Sequence, residues 1–272
     1  MILIHPITER ETHAEPVEWL PGCAYFRCPR TGLQWLEPLP AGAPVYPDFS
    51  AYADRLLGAA TPERMQLATP PNEGAAIAWV RRHCRPKARV VELFAESGRF
   101  AWRVREAGFA VCLADPLAAQ VTVLRRHGFA AVCATQPTEL PADWADAEAV
   151  VVLESIVRVP RPGAFLAGVR MRFPHAQVFL TAPSLRRSLK LPEVDRGVGY
   201  PPDFLTRWTV PALRELLTAS GYAAQGRSIT PGVLARSRGW RWRRRFFWAF
   251  QVCLMRAAGE YEYSVCAWGR PI

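Results

Sequence analysis

The stretch Val90-Val91-Glu92-Leu93-Phe94-Ala95-Glu96-Ser97-Gly98-Arg99-Phe100 decides how this chain folds. A short apolar run carrying one acid gives way to a turn, and the pattern resumes with Phe100, Val104 and Ala107 at i, i+4 and i+7. That is a strand, a turn and a helix with one core-facing stripe. Gly108 then stands where a C-terminal cap belongs.

Working outward, the same alternation repeats. Residues 110–114, 130–133, 149–153 and 177–180 are further short apolar runs, which with 90–94 make five strands of the kind buried on both faces. Leu117, Val121 and Leu124 supply a second helical stripe, closed by Gly128. Strands alternating with helices predict an α/β fold, a doubly wound and mostly parallel sheet. Thr209, Pro211, Leu213, Leu216, Leu217 and Gly221 outline a later helix with N-cap, early proline and closing glycine in order. Residues 222–228 and 261–268 read as a final strand pair, separated by a basic and aromatic insertion at about 233–258.

The 272 residues, 50% hydrophobic, suit one large α/β domain with a small N-terminal appendage. Pro38, Pro40, Gly42, Pro44 and Pro47 form a breaker-rich connection, so we expect an N-terminal flap over 1–60 and the main domain over 61–272. Residues 1–10 lack the cationic start and long apolar stretch of a signal peptide. The most apolar window, 246–255, is about half of the roughly 20 residues a membrane span needs. Seven cysteines, with Cys112, Cys133, Cys253 and Cys266 in expected strands or helices, fit reduced thiols in a cytoplasm. The formal charge of +10 comes from arginines scattered over many segments, which argues against a nucleic-acid partner.

In this architecture a nucleotide cofactor lies across the carboxyl ends of the central strands, so residues at strand ends and first helical turns are informative. The opening stretch resembles motif I of the class I S-adenosylmethionine (SAM)-dependent methyltransferases, acid-x-Gly-x-Gly-x-Gly. Glu92 and Gly98 match, while Phe94 and Glu96 take the first two glycine positions, with Ala95 between them. Those glycines let the backbone turn tightly beside the cofactor, so Phe94 threatens the space it needs. Glu96 would repel a methionine carboxylate but not an ammonium. The alternative is an ordinary strand-turn-helix with Gly98 as its turn residue.

Asp115-Pro116 ends the second strand about 23 residues after Glu92, near the spacing for gripping ribose hydroxyls; helix capping is the plainer role. The run from Glu154 and Ser155 through Arg158, Val159 and Pro162 is similar to the family's Glu-Val-Leu-Glu-His-Val-x-x-Pro segment. Val157 and Arg158 replace its Glu-His pair, removing a candidate base and leaving Arg158 either to hold an anionic substrate group or to face solvent. Tyr200-Pro201-Pro202-Asp203-Phe204-Leu205-Thr206-Arg207 resembles the segment lining the acceptor side, which makes Tyr200, Asp203 and Arg207 candidate acceptor contacts; the alternative is a Pro-rich connector. Tyr200 and Asp203 are the candidate bases.

Tyr25-Phe26-Arg27-Cys28-Pro29-Arg30-Thr31-Gly32-Leu33 resembles one knuckle of the zinc-ribbon start of some methyltransferases, with Thr31 replacing its second cysteine, so the flap reads as a degenerate ribbon and no metal is expected. In the insertion, residues 240–255 place apolar side chains on two helical faces, leaving three readings open: a lid or homodimer helix, contact with a lipidic acceptor, or a membrane surface. The resemblance implies a SAM cofactor, methyl transfer to a small-molecule or lipid-linked acceptor, and a cytoplasmic protein that is either free or peripheral to a membrane. The rival reading is a degenerate scaffold acting as a non-catalytic binding or assembly module. A nicotinamide dehydrogenase would need Gly-x-Gly-x-x-Gly after the first strand, which this turn does not supply.

Overall fold

The computed structural model describes residues 1–40, 42, 44–185, 204–229 and 264–272. It opens with β1 (Ile2–Ile4), β2 (Glu11–His13), β3 (Glu15–Leu20), β4 (Cys23–Arg27) and β5 (Gln34–Glu37), followed by helices α1 (Ser50–Gly58), α2 (Pro62–Ala68) and α3 (Pro71–His83). The alternating part runs β6 (Arg89–Leu93), α4 (Arg99–Glu106), β7 (Ala110–Asp115), α5 (Ala118–Arg126), β8 (Ala130–Cys133), β9 (Ala149–Leu153), α6 (Pro162–Arg172) and β10 (Gln177–Pro183). β11 (Thr206–Arg207), α7 (Val210–Ala219), β12 (Tyr222–Ile229) and β13 (Ser264–Pro271) complete the described elements.

Seven strands form the main sheet in the order β12-β13-β10-β9-β6-β7-β8. β8, β7, β6, β9 and β10 run parallel, and β13 is antiparallel to both β10 and β12. From β6 the chain winds outward through β7 to β8, then returns to β9 on the other side, so the topological switch point lies between β6 and β9. The expected doubly wound, mostly parallel sheet is therefore present.

The two faces follow from the period-2 rule for strands. Val90, Val151 and Phe179 pack with Ala76, Val80, Phe100 and Val104 of α3 and α4. Val91, Leu93, Val150, Val152 and Leu180 point the other way, onto Phe165, Leu166, Leu213 and Leu216 of α6 and α7. A strand covered on both faces has no polar side, which is why these runs are continuously apolar.

The N-terminal segment forms a second, four-stranded antiparallel sheet in the order β11-β5-β4-β3. Its fourth strand comes from beyond residue 200, and Phe26, Leu33 and Trp35 belong to the same apolar cluster as Val91 and Leu213. The knuckle-like turn closes through backbone bonds, Gly32 N to Cys28 O at 2.8 Å and Cys28 N to Leu33 O at 2.9 Å. Among the described residues no group of three His, Cys, Asp or Glu side chains could hold a metal, and no helix is long and apolar enough to cross a membrane.

The hairpin turn between β1 and β2 presses on the first turn of α6: Gly163 N donates to Pro6 O at 3.3 Å, and a Cβ on Gly163 would lie 2.0 Å from Ile7 O. Because that neighbour is backbone, Gly163→Ala must displace the hairpin. We expect a loss of about 1–3 kcal/mol in denaturant unfolding, with amide exchange rising first around His5 to Ile7.

Candidate functional site

The loop after β6 reverses the chain with Phe94, Glu96 and Gly98 in left-handed backbone, at φ 59°, 44° and 68°. Alternate left-handed positions are what a glycine at each site would accommodate; Phe94 and Glu96 hold them at a strain on the order of 1–3 kcal/mol each. Neighbouring segments enforce the turn. Ala95 N donates to Ala114 O at 3.1 Å, and Gln120 donates from its amide to Glu96 O.

Asp115, buried at the end of β7, accepts from Glu96 N through Oδ2 and from Leu117 N through Oδ1, both at 3.0 Å. The Leu117 bond is a local turn ahead of α5, whose N-cap is Leu117 with no side-chain cap bond, so Asp115 does not cap the helix; the Glu96 bond adds a tie across to the β6 loop. A carboxylate oxygen accepts more than one hydrogen bond, so neither contact saturates the group. Burial pushes the Asp115 carboxyl up to about 6, against the pull of the two backbone donors.

Phe94 is buried, its ring stacked on Tyr46 at 5.8 Å and tilted against Phe165 at 5.6 Å. Behind it, among Leu93, Ala114, Ala134, Gln136 and Phe165, a cavity of only about 10 Å³ is left. That is at most room for one water. In this conformation aromatic rings fill the space beside the switch point. Tyr46 comes from the irregular, Pro-rich stretch after β5.

Glu96 resolves the orientation question raised by its sequence position. Its Oε1 accepts from Ser155 Oγ and from Arg158 Nη1, each at 3.0 Å, so the side chain spans the crevice from the β6 loop to the 3-10 turn Ser155–Arg158 that follows β9. Glu154, grouped in sequence with the cofactor contacts, turns elsewhere: its carboxylate accepts from Ser264 on β13 and its N–H donates to Thr181 O at 3.0 Å. The left-handed backbone at Glu154, φ 59°, sets that direction.

Glu92 is 3% exposed and its Oε2 has no hydrogen-bond partner. Burial raises its carboxyl well above the usual range, reinforced by the nearby acids Glu73, Glu96 and Asp115. Glu73 of α3 pairs with Arg99 at the start of α4 through two bonds of 2.8 and 2.6 Å. The crevice thus gathers four acids, Glu73, Glu92, Glu96 and Asp115, against two guanidiniums, Arg99 and Arg158.

Sequence reasoning missed Tyr46, Glu73 and Gln120, which reach the crevice from other elements with no motif of their own, and gave no role to Arg99, which directly follows the motif's Gly98. Arg207, expected among the acceptor contacts, packs over the Tyr25 ring at 3.7 Å and pairs with Glu18 at 2.6 Å, tying β11 to the N-terminal sheet. Its side chain is only 8% exposed, because the short strand carries it inward. Tyr200, Asp203 and the insertion at 233–258, with its run at 240–255, lie outside the described residues.

No family model and no curated protein matches the chain. Among solved structures it is similar to a chain of the complex between the Haloferax volcanii Trm112 methyltransferase activator and a methyltransferase, with TM-score 0.57 and 16% identity over 84% of this chain and 99% of that one. It also resembles the plantazolicin methyltransferase BpumL in complex with S-adenosylhomocysteine (SAH), TM-score 0.51 and 8% identity over 82% and 89% of the two chains. A SAM-dependent methyltransferase from Archaeoglobus fulgidus matches with TM-score 0.50 and 10% identity over 73% and 94%. At such identities the likeness establishes the fold: the chain has the Rossmann-like fold of the class I SAM-dependent methyltransferases.

The raised Asp115 carboxyl carries a pH signature. The folded chain holds the proton up to about 6 and an unfolded one releases it near 3.8, so the associated stability is full below 3.8 and lost as pH rises through 6. The wild type should therefore lose stability relative to Asp115→Asn between those values and run parallel to it above them, as chemical denaturation across pH would record.

Proposed function

We propose that this protein is a SAM-dependent methyltransferase acting on a small-molecule or lipid-linked acceptor. The observation that carries the reading is a pair of buried acids at the switch point, Asp115 at the end of β7 and Glu92 with an unpartnered oxygen in β6. The polar set fits the cofactor. Asp115 retains acceptor capacity for ribose hydroxyls, and an ammonium would both satisfy Glu92 Oε2 and restore its charge.

When bound, the cofactor supplies an activated methyl group on a sulfonium. The chain's own part is to hold and align. Phe94, Tyr46 and Phe165 form an aromatic wall that excludes water, and Arg158, paired here with Glu96, is placed to hold an anionic group once that partner yields. Asp203 or Tyr200 accepts a proton where the acceptor carries one. Tyr46 must swing away for a nucleoside to enter, and its position on an irregular segment suits that motion.

The free cysteines among the described residues suit a cytoplasmic setting, and residues 240–255 offer a homodimer or membrane-surface contact. The second reading, a non-catalytic binding or assembly module on the same scaffold, draws support from the filled space behind Tyr46 and Phe94.

Calorimetric titration separates the two. SAM and SAH should bind saturably, Tyr46→Ala should tighten both by removing the cover, and Asp115→Ala should weaken both at least about tenfold, the worth of one or two hydrogen bonds to a charged group. Absence of saturable binding by folded wild type and Tyr46→Ala alike would sink the enzyme reading.

A further inference from the structure

Ser155 and Arg158 sit one turn apart, directly after β9, and both reach the same oxygen of Glu96 at 3.0 Å; the Ser155 hydroxyl also lies 3.2 Å from Leu153 O, so its one proton serves either acceptor. Ser155 is 1% exposed and the Arg158 side chain 12%. A buried hydroxyl and a guanidinium converging on one oxygen is how proteins bind a ligand carboxylate. Here the carboxylate belongs to the chain itself.

Two further observations indicate that this occupant is a substitute. Glu96 delivers its side chain from a left-handed position, φ 44°, which glycine would hold without strain. Its single oxygen also leaves Arg158 underused, since Arg158 Nε is buried with no partner. A buried unpaired N–H is costly, and a carboxylate meeting the guanidinium side-on would satisfy it. Removing Glu96 would also take one acid from a crevice that already holds Asp115 and Glu92, leaving Arg158 the more open to an incoming anion.

We propose that Ser155 and Arg158 form a carboxylate-binding subsite, and that Glu96 occupies it as an internal stand-in which a ligand carboxylate displaces. The ligand group is the amino-acid end of the cofactor or an acid on the acceptor; both sources rest on the function proposed above, whereas the subsite itself rests on the geometry of Ser155 and Arg158.

The test uses SAH and 5′-methylthioadenosine, which shares its nucleoside thioether but lacks the amino acid, titrated into wild type, Glu96→Gly and Glu96→Gly/Arg158→Ala. In parallel, sodium benzoate is added while the Arg158 Nε–H resonance is followed by NMR. If the cofactor's carboxylate is the ligand, Glu96→Gly binds SAH about tenfold tighter than wild type, leaves 5′-methylthioadenosine unchanged, and loses the gain when Arg158 is removed. If the acceptor's acid is the ligand, benzoate shifts the Arg158 resonance in Glu96→Gly far more than in wild type, and SAH shows no gain. Glu96→Gln, which keeps the shape and drops the charge, should move in the same direction to a smaller extent and guards against a backbone effect of glycine.

Equal tightening of SAH and 5′-methylthioadenosine would mean simple steric opening and would overturn the proposal. So would a Glu96→Gly protein that responds to neither SAH nor benzoate differently from wild type. If neither nucleoside binds any variant while benzoate still reports, the cofactor reading fails and the subsite stands.

Discussion

The site depends on one carboxylate. Asp115 closes β7 and holds two backbone N–H groups from different places, Glu96 in the loop after β6 and Leu117 before α5. The first bond fixes the loop against the neighbouring strand, and the second fixes the turn that leads into α5. Because the group is buried it works best fully hydrogen-bonded, and because β6 and β7 are paired its position is set by the sheet. The loop after β6 and the turn before α5 inherit their placement from that anchor.

Around it the chain accepts local strain and offsets it by packing. Phe94 adopts a backbone that suits glycine, yet its ring gains Tyr46 on one side and Phe165 on the other. Aromatic pairs of this kind contribute about 0.5–1.5 kcal/mol each beyond burial, comparable to the strain. Glu96 makes the same exchange in polar currency, through Ser155 and Arg158. Phe94 and Glu96, in backbone that suits glycine, thus fill the loop's surroundings with their own side chains.

The main sheet was legible because its signal is local. Strands at 130–133 and 149–153 were read with their observed bounds, and residues 90–94 differ from β6 by one position, since apolar runs between glycine-capped helices report burial on both faces. The N-terminal sheet was not read as strands. β3 is mostly exposed and β11 has two residues, so neither carries a periodic apolar pattern. At the site, Asp115, Glu96, Ser155 and Arg158 stand out by position, but not the bonds that join them. Tyr46, Glu73 and Arg99 come from before the motif or beside it, and only the fold brings them together. The contacts of Glu154 and Arg207 are not legible in residue type: a left-handed backbone sets the direction of Glu154, and a two-residue strand carries Arg207 inward onto Tyr25 and Glu18.

The pairing of β11 with β5 has a bearing on how the chain is made. Trp35 pairs with Thr206, and Gln34 with Arg207, so the N-terminal sheet has an open edge while everything between is synthesised. Strands joined over such a span form slowly, because the loop must close before the contact is rewarded. The N-terminal sheet is therefore among the last parts to be finished, because it waits for the Rossmann-like core to deliver its final strand.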